Sequence, residues 1–220
     1  MAHRAEEKER RRQERIAQEE AARKAAARKR TLQIGGGAVL ALAVIAAIAI
    51  VALAGGGSSK DKTADISKLT ADAKAAGCTF SQFKSEGRNH TASKVTYKTN
   101  PPTSGNHNPT PAQDGIYRAG NSPPKENFVH TLEHGRIEFQ YKPGTPAADV
   151  AKLRALAEEP FNGTAGYHVL LFENNTNMPA QFAATAWTKS ITCPTLSTQA
   201  ISAMREFRTA FTDKGPEFIP

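Results

Sequence analysis

The chain has few of the residues and motifs that carry common cofactor chemistry. Its 220 residues include two cysteines, one tryptophan and three methionines, and aromatic residues make up only 7%. The sequence contains no phosphate-binding loop, dinucleotide fingerprint or EF-hand pattern. It also lacks an internal repeat at the spacing of solenoid proteins. These absences argue against motif-based nucleotide binding, EF-hand calcium binding and a repeat scaffold.

Cysteine is so scarce that at most one disulfide can form within the chain. Cys78 and Cys193 lie at the two ends of the C-terminal region, and outside the cytoplasm a disulfide between them is expected. Two free thiols or two soft metal ligands are the alternatives. Neither cysteine has a second cysteine or a histidine within a few residues, which favours the disulfide.

Charge is absent from residues 32–54, a run rich in Ala, Val, Ile and Leu. As a helix it is long enough to cross the roughly 30 Å hydrocarbon core of a membrane. Residues 4–30 hold eleven Lys or Arg and six Asp or Glu, an excess that favours a cytoplasmic N-terminus. We therefore predict a single-pass protein of the cell membrane, anchored in the lipid bilayer by residues 32–54. A signal peptide cleaved after Ala54 is the alternative, although its basic and apolar regions are longer than usual.

The first thirty residues lack aromatic side chains and cannot bury a core. Their Ala, Glu, Arg and Lys content favours a charged, solvated helix beside the membrane. Attraction to anionic lipid head groups is a further possibility. The formal net charge of +8 comes largely from this segment, so the rest of the chain is only mildly basic. Without a folded module or interleaved aromatics, no nucleic-acid partner is expected.

These patterns predict four parts. They are a cytoplasmic charged segment (1–31), a transmembrane helix (32–54), a linker (55–76) and an extracytoplasmic domain (77–220). A short helix is expected at 64–76, and the domain has an ordinary size for a single core.

Hydrophobic periodicity predicts an α+β domain, with a small, largely antiparallel sheet and packed helices. Residues 89–124 are rich in Pro, Asn, Gly, Ser and Thr, which predicts an ordered loop with a short strand at 94–98. The segments 167–173 and 182–192 are each predicted to be a single strand. Because a short turn joins them, the two strands are expected to be antiparallel. The other predicted elements are a strand at 136–141, a helix at 146–159 with Thr145 as N-cap and Pro146 as its first residue, and a helix at 197–211.

Four histidines fall within 45 residues of each other: His90, His107, His130 and His134. Imidazole is the commonest transition-metal ligand near neutral pH. If His130 and His134 span one helical turn, both project from the same face. The His107 loop, stiffened by two prolines, then supplies a third ligand. We predict copper or zinc bound by these histidines; the alternative is that they fix a loop through hydrogen bonds.

Other residues are weaker candidates. Residues 130–134 match the H-x-x-E-H pattern of inverted zinc peptidases, with Glu133 as general base and Glu206 as a distant acidic ligand. Otherwise, Glu133 is a candidate metal ligand, a hydrogen-bond partner of a ligating histidine, or a surface carboxylate. Met178 lies in a predicted turn. Its thioether is a candidate copper ligand; the alternative is that the side chain covers the end of the sheet. His168 is predicted to be a strand residue whose side chain makes a hydrogen bond.

Two motifs, PPTSGNH at 101–107 and VHTLEHG at 129–135, occur together with a later Ala-Trp at 186–187. With these motifs the chain resembles a bacterial family known as domain of unknown function 3105, over roughly residues 77–217. His90 and Gly-Ile-Tyr at 115–117 also match the family pattern, whereas Asn106 replaces a common proline. The resemblance implies a cell-envelope domain and no established activity. It makes the positions to test His90, His107, His130, Glu133 and His134.

Three functional hypotheses remain. The first is an extracytoplasmic domain that binds a transition metal through its histidines. The second is a metal-assisted hydrolase with Glu133 as base. The third is a non-catalytic module that binds another envelope protein and has structural histidines. A catalytic metal site keeps an open coordination position, whereas a structural site is usually closed.

Overall fold

The computed structural model describes residues 65–217 and 219. The predicted cytoplasmic segment 1–31 and membrane span 32–54 lie outside these residues, as do residues 55–64 of the predicted linker 55–76. Within the described residues, no helix is both long and apolar enough to cross a membrane.

The described residues form a six-stranded sheet and a separate two-stranded ribbon. The sheet strands are β1 (Thr79–Gln82), β2 (Gly115–Ile116), β3 (Ile137–Tyr141), β6 (Val169–Glu173), β7 (Phe182–Ala186) and β8 (Lys189–Cys193), and the ribbon pairs β4 (Pro160–Phe161) with β5 (Thr164–Ala165). The sheet is mixed, with the strand order β1-β8-β7-β3-β6-β2. The three neighbouring pairs from β1 to β3 in this order are antiparallel, whereas β6 is parallel to both β3 and β2.

Four helices accompany the sheet: α1 (Ile66–Ala75), α2 (Lys125–Glu133), α3 (Ala147–Glu158) and α4 (Thr198–Phe211). Side-chain caps begin two of them. Asp65 accepts a hydrogen bond from the Lys68 backbone N–H, and Ser197 accepts one from the Ala200 N–H. Such caps satisfy N–H groups that the first helical turn leaves without a partner.

Alternating side chains give the central strands two buried faces. Ile137 and Phe139 of β3 point into a core shared with helices α1, α3 and α4. On the opposite face, Leu170 of β6 packs with Phe128 of α2 and with Trp187. The result is three layers, with α2 and the loop-rich segment 85–117 on the second face. That second face carries the candidate site.

The predicted mixed architecture is confirmed, with antiparallel pairs in the majority, but the sheet also contains parallel pairs. Strands β3 and β6 are joined through α3 as a parallel crossover. Strands β6 and β7 run antiparallel as predicted, yet they are not neighbours, because β3 lies between them. The connecting segment passes the end of β3, where the Asn174 N–H donates to Tyr141 O at 2.7 Å.

The segment 182–192 is a hairpin rather than the predicted single strand. The chain turns at Trp187 and Thr188, and Thr188 takes a positive φ of 61°. No glycine, proline or asparagine marks this turn, so its sequence carries no turn signal.

The prediction of a strand at 94–98 is wrong. Carboxylates, rather than a neighbouring strand, accept hydrogen bonds from the backbone N–H groups of this segment. The Val95 N–H donates to Glu126 Oε1, and the N–H groups of Lys98 and Thr99 donate to the two oxygens of Glu86. The segment therefore stays extended without joining the sheet.

Two boundaries also differ from the prediction. Helix α1 lies in the predicted linker 55–76, yet its Leu69 and Ala73 are buried in the core, so the folded part begins before residue 77. Helix α3 begins at Ala147 with Pro146 as N-cap, because the Thr145 hydroxyl instead donates to Lys142 O.

A disulfide joins Cys78 to Cys193, as predicted. Cys78 immediately precedes β1, and Cys193 ends β8, the strand that pairs with β1. The bond thus fastens the edge strand to the sheet across a sequence separation of 115 residues. Loops of this length lose the most unfolded-state entropy when they are closed.

We predict that replacing both cysteines, as Cys78→Ser with Cys193→Ser, lowers the free energy of unfolding by about 4–5 kcal/mol. The loss arises because the unfolded chain regains the entropy of an open loop. Urea denaturation of the purified protein measures it. Reductant should destabilise the parent to a similar extent and leave the double variant unaffected. A parent that does not respond to reductant would contradict the prediction.

A buried polar network lies between the sheet and α2, centred on Glu138. This residue is fully buried, and its carboxyl accepts hydrogen bonds from Thr185 Oγ1 at 2.8 Å and Gln140 Nε2 at 3.2 Å. Thr131 Oγ1 of α2 lies 3.1 Å from the other oxygen. Burial raises the pKa of Glu138 well above its ordinary value, despite these hydrogen bonds. Folding therefore favours the protonated form of Glu138.

A group whose pKa is raised by folding costs stability as the pH rises above its unfolded pKa. We therefore expect Glu138→Gln, which keeps the shape and removes the ionisation, to become progressively more stable than the parent between pH 5 and pH 8. Urea denaturation across this range tests the difference. Glu158→Gln, on the exposed surface of α3, is the control. An equal pH dependence in the parent and Glu138→Gln would refute this account of Glu138.

Candidate metal centre

His90 and His107 are brought together by backbone pairing between two extended segments. The Thr91 N–H donates to His107 O at 2.7 Å, and the His107 N–H donates to Asn89 O at 3.1 Å. This isolated parallel bridge sets the two imidazole centroids 5.1 Å apart. The two histidines, seventeen positions apart in sequence, thereby become neighbours.

Helix α2 supplies three further candidate ligands from its C-terminal end. His130, Glu133 and His134 lie at helical positions i, i+3 and i+4, and so share one face. Gly135 follows with φ of 78° and turns the chain into β3. A Cβ there would lie 2.7 Å from Asp213 Cα, so glycine is required. The predicted helical turn over 130–134 is therefore present, although the helix ends with Glu133.

Two overlapping sets of ligand atoms result. In each set the ligand atoms all lie within 4.8 Å of one another. We call His90, His107, His130 and Glu133 the inner cluster, and His130, His134 and Glu217 the outer cluster. His130 belongs to both.

Backbone carbonyls fix the tautomers of two inner imidazoles. His107 Nδ1 lies 2.8 Å from Gly105 O, and His130 Nδ1 lies 2.6 Å from Asn108 O. A carbonyl oxygen only accepts, so each Nδ1 carries the hydrogen that it donates. Each Nε2 is left with a lone pair, and these two atoms point into the cluster.

The Glu133 carboxylate lies next to His107 Nε2. Glu133 Oε2 lies 3.0 Å from His107 Nε2, and both side chains are almost completely buried (2% and 0% exposed). Arg88 Nε lies 3.2 Å from Glu133 Oε1 but does not make a hydrogen bond to it. Among the described residues, His107 Nε2 and Glu133 Oε1 have no hydrogen-bond partner. Two acceptors this close need a cation between them, either a proton or a metal ion.

The pKa values of His130 and His134 favour neutral, ligating imidazoles. Burial lowers the pKa of His130, and the neighbouring His107 and His90 lower it further, against the opposing effect of the Asn108 carbonyl. Burial, together with His130 and Arg136, lowers the pKa of His134 to about 4. Metal binding requires unprotonated imidazoles, so both side chains are ready to bind at neutral pH.

The loop that carries His107 is held rigidly. Gly105 has φ of 130°, and a Cβ there would lie 2.8 Å from the Tyr97 ring, so only glycine fits. The Tyr97 hydroxyl donates to Asn106 O at 2.8 Å. The buried Ser104 hydroxyl accepts from the Glu86 N–H at 3.1 Å, so this serine shapes the loop. Trp187 lies edge-to-face against the His107 ring, 6.2 Å between centroids.

A C-terminal tail, residues 212–217, completes the outer cluster. The Asp213 N–H donates to Gly135 O at 2.9 Å, and the Glu217 N–H donates to Glu133 O at 3.1 Å. A Cβ on Gly215 would collide with Glu133 O, so glycine is required for this close approach. Glu217 Oε2 is thereby brought to 3.8 Å from His134 Nε2.

The remaining predicted residues lie elsewhere. Met178 is buried beyond the C-terminal end of β6, where its N–H donates to Asn174, whereas the histidines lie near the N-terminal end of β3, the parallel neighbour of β6. Glu206 pairs with Lys68 on α1. His168 donates from Nδ1 to Asp213 at 2.6 Å, which is the satisfied hydrogen bond predicted for it.

Sequence reasoning did not identify Glu217 as a candidate ligand. It lies 84 positions from Glu133 in an irregular tail, so neither spacing nor periodicity connects it to the histidines. The nearest signal is the glycine at position 215, which allows the tail to approach α2.

A family model described as Protein of unknown function (DUF3105) matches residues 89–218. This range contains both clusters, whereas Cys78 and α1 precede it. No curated protein and no solved structure matches the chain. Because the matched residues make up more than half of the sequence, the chain belongs to the DUF3105 family.

Proposed function

We propose that this domain binds one divalent transition-metal ion, Zn²⁺ or Cu²⁺, at the inner cluster. The observation that carries the proposal is the buried pair of acceptors, His107 Nε2 and Glu133 Oε2, 3.0 Å apart. An ion about 2.0–2.1 Å from each of two ligands separates them by about 3 Å. The pair already has the spacing of two ligands on one ion.

The donor set suits a borderline ion rather than a soft one. Three imidazoles and one carboxylate are typical of Zn²⁺ and Cu²⁺ sites. Thiolate and thioether ligands, which select Cu⁺, do not contribute: Cys78 and Cys193 form a disulfide, and Met178 lies at the other end of the sheet strands. The prediction of copper or zinc is therefore refined toward the divalent ions.

The hydrogen bonds that orient the proposed ligands favour metal binding over catalysis. His107 and His130 each donate their other nitrogen to a backbone carbonyl, an arrangement that orients a metal-bound imidazole. Four protein ligands close a tetrahedral site, and Glu133 acts as a ligand instead of a free general base. The hydrolase alternative gains no further support, because Glu206 is paired with Lys68.

We further propose that the domain works outside the cytoplasm, tethered to the bilayer by residues 32–54. The disulfide supports an oxidising compartment. The charge pattern of residues 1–31 supports a cytoplasmic N-terminus. We also propose, as partner, an envelope protein that delivers or accepts the ion, and nucleic acid is not expected.

Metal content and affinity test the proposal. The purified full-length protein, without a His tag, should retain about one Zn²⁺ or Cu²⁺ per chain after loading and dialysis, measured by mass spectrometry. His107→Ala and Glu133→Gln should each weaken metal binding at least tenfold. Loss of a residue that merely orients a ligand typically weakens metal binding by about 10–100-fold, and each of these substitutions changes a ligand itself.

His168→Gln is the matched control, because His168 is a buried histidine outside both clusters. It should keep the parent's metal content. Circular dichroism confirms that each variant is folded. A folded parent that retains neither ion after loading would refute the proposal.

A further inference from the structure

His130 can bind only one ion at a time, although it belongs to both clusters. Its Nδ1–H is committed to Asn108 O, so Nε2 is its one available ligand atom. Nε2 lies 2.9 Å from His134 Nε2 of the outer cluster, and its ring centroid lies 4.7 Å from that of His107 in the inner cluster. An ion that completes one cluster therefore takes His130 from the other.

The His107–Glu133 pair of the inner cluster is more deeply buried than the His134–Glu217 pair of the outer cluster. His107 and Glu133 are 0% and 2% exposed, whereas His134 and Glu217 are 11% and 44% exposed. His90 is the exposed member of the inner cluster, so solvent reaches that cluster at His90 and the outer cluster at Glu217.

The clusters also differ in ligand number. The inner cluster offers four ligands, enough to close a tetrahedral site, whereas the outer cluster offers three. An ion held by three protein ligands keeps a coordination position for water or an incoming donor. Ligand exchange can then begin before any protein ligand has left.

We infer that a single ion has two positions in this domain, a storage position with four protein ligands at the inner cluster and an exchange position at the outer cluster, with His130 as a ligand in both. This inference rests on the proposed function. The exchange position would accept the ion from, or release it to, a donor that offers an imidazole, carboxylate or small chelating ligand. The step is a ligand substitution without change in the metal's oxidation state.

The tail that supplies Glu217 allows the carboxylate to be changed without displacing the backbone. The Glu217 N–H bond to Glu133 O and the Asp213 N–H bond to Gly135 O involve only main-chain atoms. Glu217→Gln therefore keeps the tail in place and weakens only the charged ligand. His134→Gln removes the second outer ligand from the end of α2.

The test loads full-length parent and variants with Zn²⁺ and follows its removal by the chromophoric chelator 4-(2-pyridylazo)resorcinol in a stopped-flow instrument. Removal should be at least tenfold slower in Glu217→Gln and in His134→Gln than in the parent. Glu158→Gln, an exposed carboxylate away from both clusters, should exchange at the parent rate. Metal analysis of the same samples should give one ion per parent chain.

Each other outcome has a separate meaning. One bound ion with equal removal rates in the parent and both outer variants would overturn the exchange position and leave the proposed function standing. Two ions per parent chain would overturn the sharing of His130. Loss of the ion from Glu217→Gln at equilibrium would make the outer cluster the storage site, which also overturns the inference. A parent without bound Zn²⁺ or Cu²⁺ would instead refute the proposed function.

Discussion

Two backbone carbonyls decide the chemistry of the histidine cluster. Gly105 O and Asn108 O accept the Nδ1–H groups of His107 and His130, and so leave both Nε2 lone pairs directed inward. Glu133 adds a carboxylate in the same place. With the tautomers fixed, a cation between His107 Nε2 and Glu133 Oε2 would satisfy both buried acceptors.

The rest of the second face of the sheet keeps these carbonyls in position. Tyr97 and Gly105 pack without room for a side chain between them, and Trp187 presses against the His107 ring from the β7–β8 turn. Glu86 and Glu126 satisfy the backbone of residues 95–99 with their carboxylates. These hydrogen bonds satisfy the loop backbone without a neighbouring strand, and a backbone bridge within the loop-rich segment pairs His90 with His107.

Short-range patterns in the sequence predicted part of this arrangement. The spacing of His130 and His134 on one helical turn, the pairing of the only two cysteines, and the helices at 146–159 and 197–211 follow from local periodicity or composition. Long-range contacts decided the rest. The carboxylates that replace a strand at 94–98, the insertion of β3 between β6 and β7, and the approach of Glu217 to His134 each join residues far apart in sequence. No local pattern encodes such contacts.

The choice of ligands is consistent with the proposed location. A thiolate site outside the cytoplasm would be exposed to oxidation, since the thiolate is both the metal ligand and the oxidisable form of cysteine. Here the two cysteines are already joined and fasten the edge strand to the sheet, so the groups that could hold a metal are imidazoles and carboxylates. These ligands need no reducing partner. They do depend on neutral imidazoles, and the burial that lowers the pKa of His130 and His134 provides them. Burial thus leaves His107 Nε2 and Glu133 Oε1 without hydrogen-bond partners and also lowers the pKa of His130 and His134.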